Sequence, residues 1–147
     1  MVGEEWWWKI GFLRENVAAR QGMRGEVLAA SWLRKAGLKI IARNWRSPRD
    51  QRDELDLVCL DGEVLVFVEV KTRSPDALVS GYYAVDRRKK AVLRRAADAY
   101  LRGLLPADRP RTFRFDVVDV QLAFDFKTAP IIRHFENVPL FGKDYGW

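Results

Sequence analysis

Asp56 is followed, after a gap of twelve residues, by Glu69 and then by Lys71, an acidic residue and a Glu-x-Lys step inside a strongly apolar stretch. Two carboxylates that converge can hold a cation, and an oxygen-only donor set with no His or second Cys nearby favours a hard ion, Mg²⁺ or Mn²⁺, over Zn²⁺. The chemistry that suits such a set is phosphodiester hydrolysis. The metal polarises a phosphate and acidifies a water, and Lys71 holds that water or stabilises the negative charge that develops.

A hairpin is the element that brings these residues together. Segments 54–60 and 63–70 flank Asp61-Gly62, a pair favoured in two-residue turns because both central positions take positive φ. That turn sets Leu60 opposite Glu63, Asp56 opposite Phe67 and Glu54 opposite Glu69. Alternation then places Glu54, Asp56, Glu69 and Lys71 on one face, with Asp56 and Glu69 as diagonal neighbours roughly 7–8 Å apart. Three carboxylates on one face repel one another, and a shared divalent cation relieves that repulsion, which makes Glu54 a third candidate ligand.

Upstream, residues 16–37 read as a helix with Ala29, Ala30, Leu33 and Ala36 on a buried stripe and Gly37 as its stop. Glu26 leads that stripe, so its carboxylate points inward and requires a partner or a role. Residues 38–44 read as a strand, 46–53 as a connection and 74–81 as a polar loop. A second helix spans 86–103, burying Leu93, Ala96, Ala97, Tyr100, Leu101 and Leu104, and a last strand covers 113–120. The order α-β-β-β-α-β implies an α/β fold with a mixed sheet covered by helices. A length of 147 residues suits one domain. It divides into an aromatic-rich N-terminal extension (1–20), a core (22–120) and a C-terminal strand and tail region (121–147).

Positive charge is concentrated rather than spread. Residues 86–114 hold ten Lys/Arg against three Asp/Glu, whereas the rest of the chain is close to neutral. A polyanion fits this pattern, DNA more than RNA, with Arg87, Arg88, Lys89, Lys90, Arg94 and Arg95 on the helix and Arg43, Arg46 and Arg73 beside the hairpin as phosphate contacts. Arg109, Arg111 and Arg114 extend the set, and Trp45 between two arginines is a further candidate contact.

The start of the chain lacks the character of a secretory signal, and no apolar run approaches the roughly 20 residues of a membrane span, so a cytoplasmic protein with no membrane partner is expected. Cys59, the sole cysteine, reads as a buried inert thiol, and His134, the sole histidine, receives no catalytic role. Trp6, Trp7 and Trp8 read as a packing cluster, against the domain or a second copy. A homodimer would set two centres against two strands.

The segments GE (25–26), RN (43–44), DELDLV (53–58), FVEVKTR (67–73), RFDVV (114–118) and HFEN (134–137), in this order, resemble the YraN-like family of small bacterial proteins in the PD-(D/E)xK nuclease superfamily. The resemblance implies a restriction-endonuclease-like core, Asp56 and Glu69 as metal ligands, Lys71 as catalytic lysine and Glu26 as a further acidic catalytic residue. Two departures stand out: Asp53 occupies a usual glycine position, and Leu55 rather than Pro precedes Asp56. The expected function is a metal-dependent endonuclease acting on DNA, branched or damaged DNA included. The alternative is a catalytically inactive nucleic-acid-binding module on the same fold.

Overall fold

In a computed structural model, residues 5–76 and 86–140 are described, with side chains from residue 16 onward. The expected Trp6–Trp8 packing lies outside the described side chains, as do 77–81 of the polar loop and 141–147 of the tail. Helix α1 (Glu5–Lys35) is followed by strands β1 (Lys39–Arg46), β2 (Glu54–Asp61) and β3 (Val64–Arg73). Then come helix α2 (Arg87–Gly103), strand β4 (Thr112–Gln121) and strand β5 (Ile131–Phe135). The sheet runs β1-β2-β3-β4-β5, antiparallel throughout except for the parallel pair β3–β4. This is the expected α/β architecture with a mixed sheet between helices, compatible with a restriction-endonuclease-like core. The tail adds a fifth strand.

Helix α1 takes in residues 5–20 of the segment read as an aromatic-rich extension. At the other end Gly37 adopts φ +95° and the N–H of Leu38 donates to the Leu33 carbonyl, a glycine-terminated cap. Ala36 therefore lies past the helix and is exposed instead of extending the apolar stripe.

Two apolar cores flank the sheet. On one face Ala29, Ala30 and Leu33 of α1 pack on Leu57, Cys59, Val66, Val68 and Val70. On the other, Leu93, Ala96, Ala97 and Leu101 of α2 pack on Val58, Leu65, Phe67 and Val117. With both faces covered, the inner strands read as nearly continuous apolar runs rather than an alternation. Cys59 is buried as expected, and burial pushes its thiol up to about 12.

The hairpin turn is one residue later than the Asp61-Gly62 reading. Asp61 pairs with Val64 across a Gly62-Glu63 turn in which only Gly62, at φ +59°, takes the left-handed conformation. The register moves by two positions, an even shift that leaves the faces of the paired residues from Leu57 to Val68 as expected while each partner changes. Paired positions end at Leu57–Val68, and Asp56 comes level with Glu69 rather than diagonal to it.

One close approach fixes α1 over the end of β3. A Cβ added at Gly25 would collide with Thr72 Oγ1 and lie 2.8 Å from Thr72 Cβ, so only glycine lets the helix settle there. The substitution Gly25→Ala is expected to cost about 1–3 kcal/mol through overpacking. Thr72→Ala in the same chain should recover part of that loss, a coupling that a double-mutant cycle of urea melts will measure.

Candidate active site

Beyond Leu57–Val68 the strands β2 and β3 part, and a side chain fills the gap in the ladder. The backbone N–H of Val70 donates to Asp56 Oδ2 at 2.8 Å. Asp56 is thereby anchored beside Glu69, whose side chain is 3 % exposed. Two ammonium groups meet Glu69 on one oxygen: Lys71 Nζ stands 3.2 Å and Lys89 Nζ 3.3 Å from Oε1. Its other oxygen, Oε2, is the one buried side-chain polar atom among the described residues that lacks a hydrogen-bond partner.

The carboxylate pair is electrostatically deficient. Burial, then the Glu69 charge, pushes the Asp56 carboxyl up to about 8, with Glu26 adding to the rise and the Val70 N–H opposing it. Near neutral pH Asp56 therefore keeps its proton beside Glu69. A cation in place of that proton would satisfy both carboxylates and the orphaned oxygen. The residues present therefore fit a hard divalent ion. Among the described residues no three His, Cys, Asp or Glu side chains gather as a full ligand set. Two carboxylates with the remaining positions left to water and substrate phosphate is the habit of Mg²⁺.

Glu26 comes from α1 on the far side of the strand ends. Burial raises its carboxyl, helped by the charges of Glu54 and Glu69, while a hydrogen bond with Asn44 works the other way. Asn44 belongs to the RN segment and had no expected role of its own. It holds φ 47°, between the pairs Arg43–Leu57 and Trp45–Leu55, and so lies across from Asp56. Alternation breaks at this level in both strands. Trp45 and Leu55 belong with the α2-side core, although Leu57, two residues on, belongs with the α1 side.

That break corrects the position of Glu54, expected on the Asp56 face. It sits one residue before the reversed Leu55 and is tied to Arg46 at 3.2 Å, close enough to Glu26 to raise it. The structure brings together Asp56, Glu69, Lys71 and Glu26, and adds Lys89, which was read as a surface phosphate contact. A lysine in the first turn of a basic helix carries no sequence mark that separates the two roles.

The proposed phosphate contacts also divide. Arg73 forms a bidentate pair with the buried Asp119, at 2.7 and 2.8 Å, and is part of the scaffold rather than the surface. Arg94 donates to the Leu140 carbonyl, Arg95 pairs with Asp53 at 3.0 Å, and Arg114 bridges Asp61 and Asp116. Arg43, Arg87 and Arg88 are exposed, and Lys90 is half-buried. His134 bonds the buried Asp116 at 2.8 Å. No described helix is long and apolar enough to cross a membrane.

A family model described as "Uncharacterised protein family UPF0102" matches residues 25–120. The chain is 50% identical over 100 residues to a UPF0102 protein of Beutenbergia cavernae, covering 67% of this chain and 80% of that one. A UPF0102 protein of Koribacter versatilis is 45% identical over 103 residues, 70% and 69% of the two chains. One of Moorella thermoacetica is 44% identical over 105 residues, 70% and 82%. The matched region includes each residue of the site.

The raised Asp56 carboxyl has a measurable consequence. Both states are protonated below the ordinary value of 3.8, and only the unfolded state has ionised as pH climbs from there to about 8. Stability in chelator is therefore expected to fall across that window, because the unfolded chain binds fewer protons there. Asp56→Asn, which keeps an acceptor for Val70, should equal the native protein near pH 4. At pH 8.5 it should be the more stable by about 2 kcal/mol or more. Urea melts of both proteins across pH test this, and parallel curves would reject it.

Proposed function

This chain belongs to the uncharacterised protein family UPF0102, and we propose that it is a metal-dependent endonuclease acting on DNA. The observation that carries this reading is the buried Asp56–Glu69 pair, with the Asp56 carboxyl raised by burial and by the Glu69 charge and a Glu69 oxygen unpartnered, beside two lysines. Perturbed carboxylates grouped with cations at the end of a parallel strand are what a hydrolytic phosphate site requires. Asp56 and Glu69 would hold Mg²⁺ or Mn²⁺. When bound, such an ion supplies charge neutralisation to the scissile phosphate and acidity to water.

The chain's own residues do the rest. Lys71 and Lys89 present two ammonium groups where negative charge grows on the phosphate oxygens. Glu26, its carboxyl raised and its position fixed by Asn44, accepts the proton of the attacking water. The water oxygen bonds to phosphorus, the bond from phosphorus to the leaving strand oxygen breaks, and that oxygen is protonated from solvent.

Helix α2 directs the substrate to this point. Arg87, Arg88, Lys89 and Lys90 crowd its first turn, which holds no acidic residue. Cations at a helix N-terminus oppose the macrodipole, a cost that Asp86 offsets in part by capping the Lys89 N–H at 2.8 Å. A phosphate backbone is the partner that reverses this unfavourable arrangement.

A second reading draws on the two-carboxylate ligand set: a module that binds DNA by the same surface without cutting it. Cleavage of linear and branched DNA in Mg²⁺, Mn²⁺ or chelator separates the two. The endonuclease reading expects metal-dependent cutting that Glu69→Gln, Lys71→Ala and Lys89→Ala each lower by about a hundredfold or more. Folded protein that binds DNA and never cuts it, whatever the metal, would establish the module instead. In either case Arg87→Glu with Arg88→Glu should weaken binding and flatten its salt dependence by about 0.9 logarithmic units per lost phosphate contact.

A further inference from the structure

Between the loop 47–53 and the C-terminal half of α2 lies a cleft of about 870 Å³ that the hydrolytic chemistry does not use. We propose that it receives an unpaired nucleobase of the DNA strand engaged at the carboxylate site. This rests on the nucleic-acid reading above and deepens it by naming the form of DNA preferred.

The walls suit a flat ring with polar edges. Trp45 and Tyr100 stand edge to face, with centroids 5.3 Å apart and planes at 80°, and Pro48 and Leu104 complete an apolar lining. Both rings are only part-buried, although Trp45 also packs on the α2-side core. Stacking on aromatic faces is how proteins hold unpaired bases irrespective of sequence. Guanidinium groups frame the lining: exposed Arg49 on the loop, and Arg95 and Arg102 on the helix. Arg95 and Arg102 are paired with Asp53 and Asp98 of the same lining, so the rim keeps a small positive excess, through Arg49, for an adjoining phosphate.

The cleft is a fixed feature. Asp53 pairs with Arg95 at 3.0 Å across it, and the Ser47 N–H donates to the Asp53 carbonyl at 2.9 Å, which holds the loop against the helix. Asp53 is the residue that departs from the glycine of the resembled family, and here it clamps one wall.

The spacing matches the proposed chemistry. Lys89, at the first turn of α2, touches Glu69, and cleft residues run from Arg95 to Leu104 on and just beyond the same helix. At 1.5 Å per residue the cleft begins about 9 Å along the axis from Lys89. That is within reach of a neighbouring nucleotide on a strand laid along α2. A base paired and stacked within a duplex cannot enter, so substrates with a single-stranded segment gain a contact that blunt duplex lacks.

The test is binding in chelator, where no cutting occurs, to three labelled DNAs: a single strand, a blunt duplex and a duplex with a single-stranded flap. Trp45→Ala should weaken single-strand and flap binding at least about fivefold and leave duplex affinity within about twofold, whereas Trp45→Phe should retain most of it. Because Trp45 also supports the core, Ala99→Phe, which fills the cleft from the helix side, provides a second route to the same selective loss. Unchanged flap affinity in Ala99→Phe, or equal losses on all three DNAs, would overturn the base-binding cleft while leaving the DNA reading intact. Native protein that binds none of the three would overturn both.

Discussion

Two carboxylates at the same level on neighbouring strands, both withdrawn from bulk water, cannot both be ionised without a counterion. Asp56 and Glu69 are in this position because β2 and β3 part company after Leu57–Val68 and the Val70 N–H takes a side-chain acceptor in place of a strand carbonyl. Much of the surrounding structure answers that constraint. Lys71 and Lys89 converge on one Glu69 oxygen from a strand and a helix, and Glu26 approaches from the opposite layer under the control of Asn44. A perturbed carboxylate held among so many charged groups is the kind of arrangement found at functional sites, and it supports the metal centre proposed above.

Other buried carboxylates in the chain show what a purely structural answer looks like. Asp116 receives Arg114, His134 and the backbone N–H of Asn137, and despite the opposing effect of burial these hydrogen bonds and the Arg114 charge hold its carboxyl below the ordinary range. Asp119 accepts two bonds from Arg73 and lies 3.5 Å from Arg133. Both are closed networks in which buried oxygens find donors. The Asp56–Glu69 pair is open by comparison, with Oε2 of Glu69 unpartnered in a fold that satisfies its neighbours.

The face on which the chemistry would occur was legible because strand alternation survives a register error of two. The helix-wrapped mixed sheet was legible from the periodicity of α1 and α2 and from the hairpin. What escaped was set by backbone conformation at single residues. Asp61-Gly62 favours a turn, yet Gly62-Glu63 serves because one left-handed glycine suffices there. Alternation breaks in both strands at the level of Asn44, which holds positive φ, and Glu54 comes to the side of Arg46 and Glu26, which an apolar/polar pattern cannot announce. Arg73 and Lys89, both read as phosphate contacts, turn to buried acids for a related reason: both are cations next to acids, and only the fold decides which acid each one meets.

Helix α2 joins these observations. Its buried side, from Leu93 to Leu101, fixes it over β2 and β3, so the position of Lys89 at Glu69 follows from apolar packing more than from ion pairing. The same packing sets Arg95 against Asp53 and Tyr100 against Trp45 farther along the helix. A rigid element anchored by its core face can hold charges and rings in fixed register on its open face, including cations that its own dipole disfavours. The order of features along α2, a basic first turn, a lysine on the carboxylates and an aromatic cleft, supports the proposed track for a DNA strand, with the Asp56–Glu69 pair at one end and the proposed base cleft farther along.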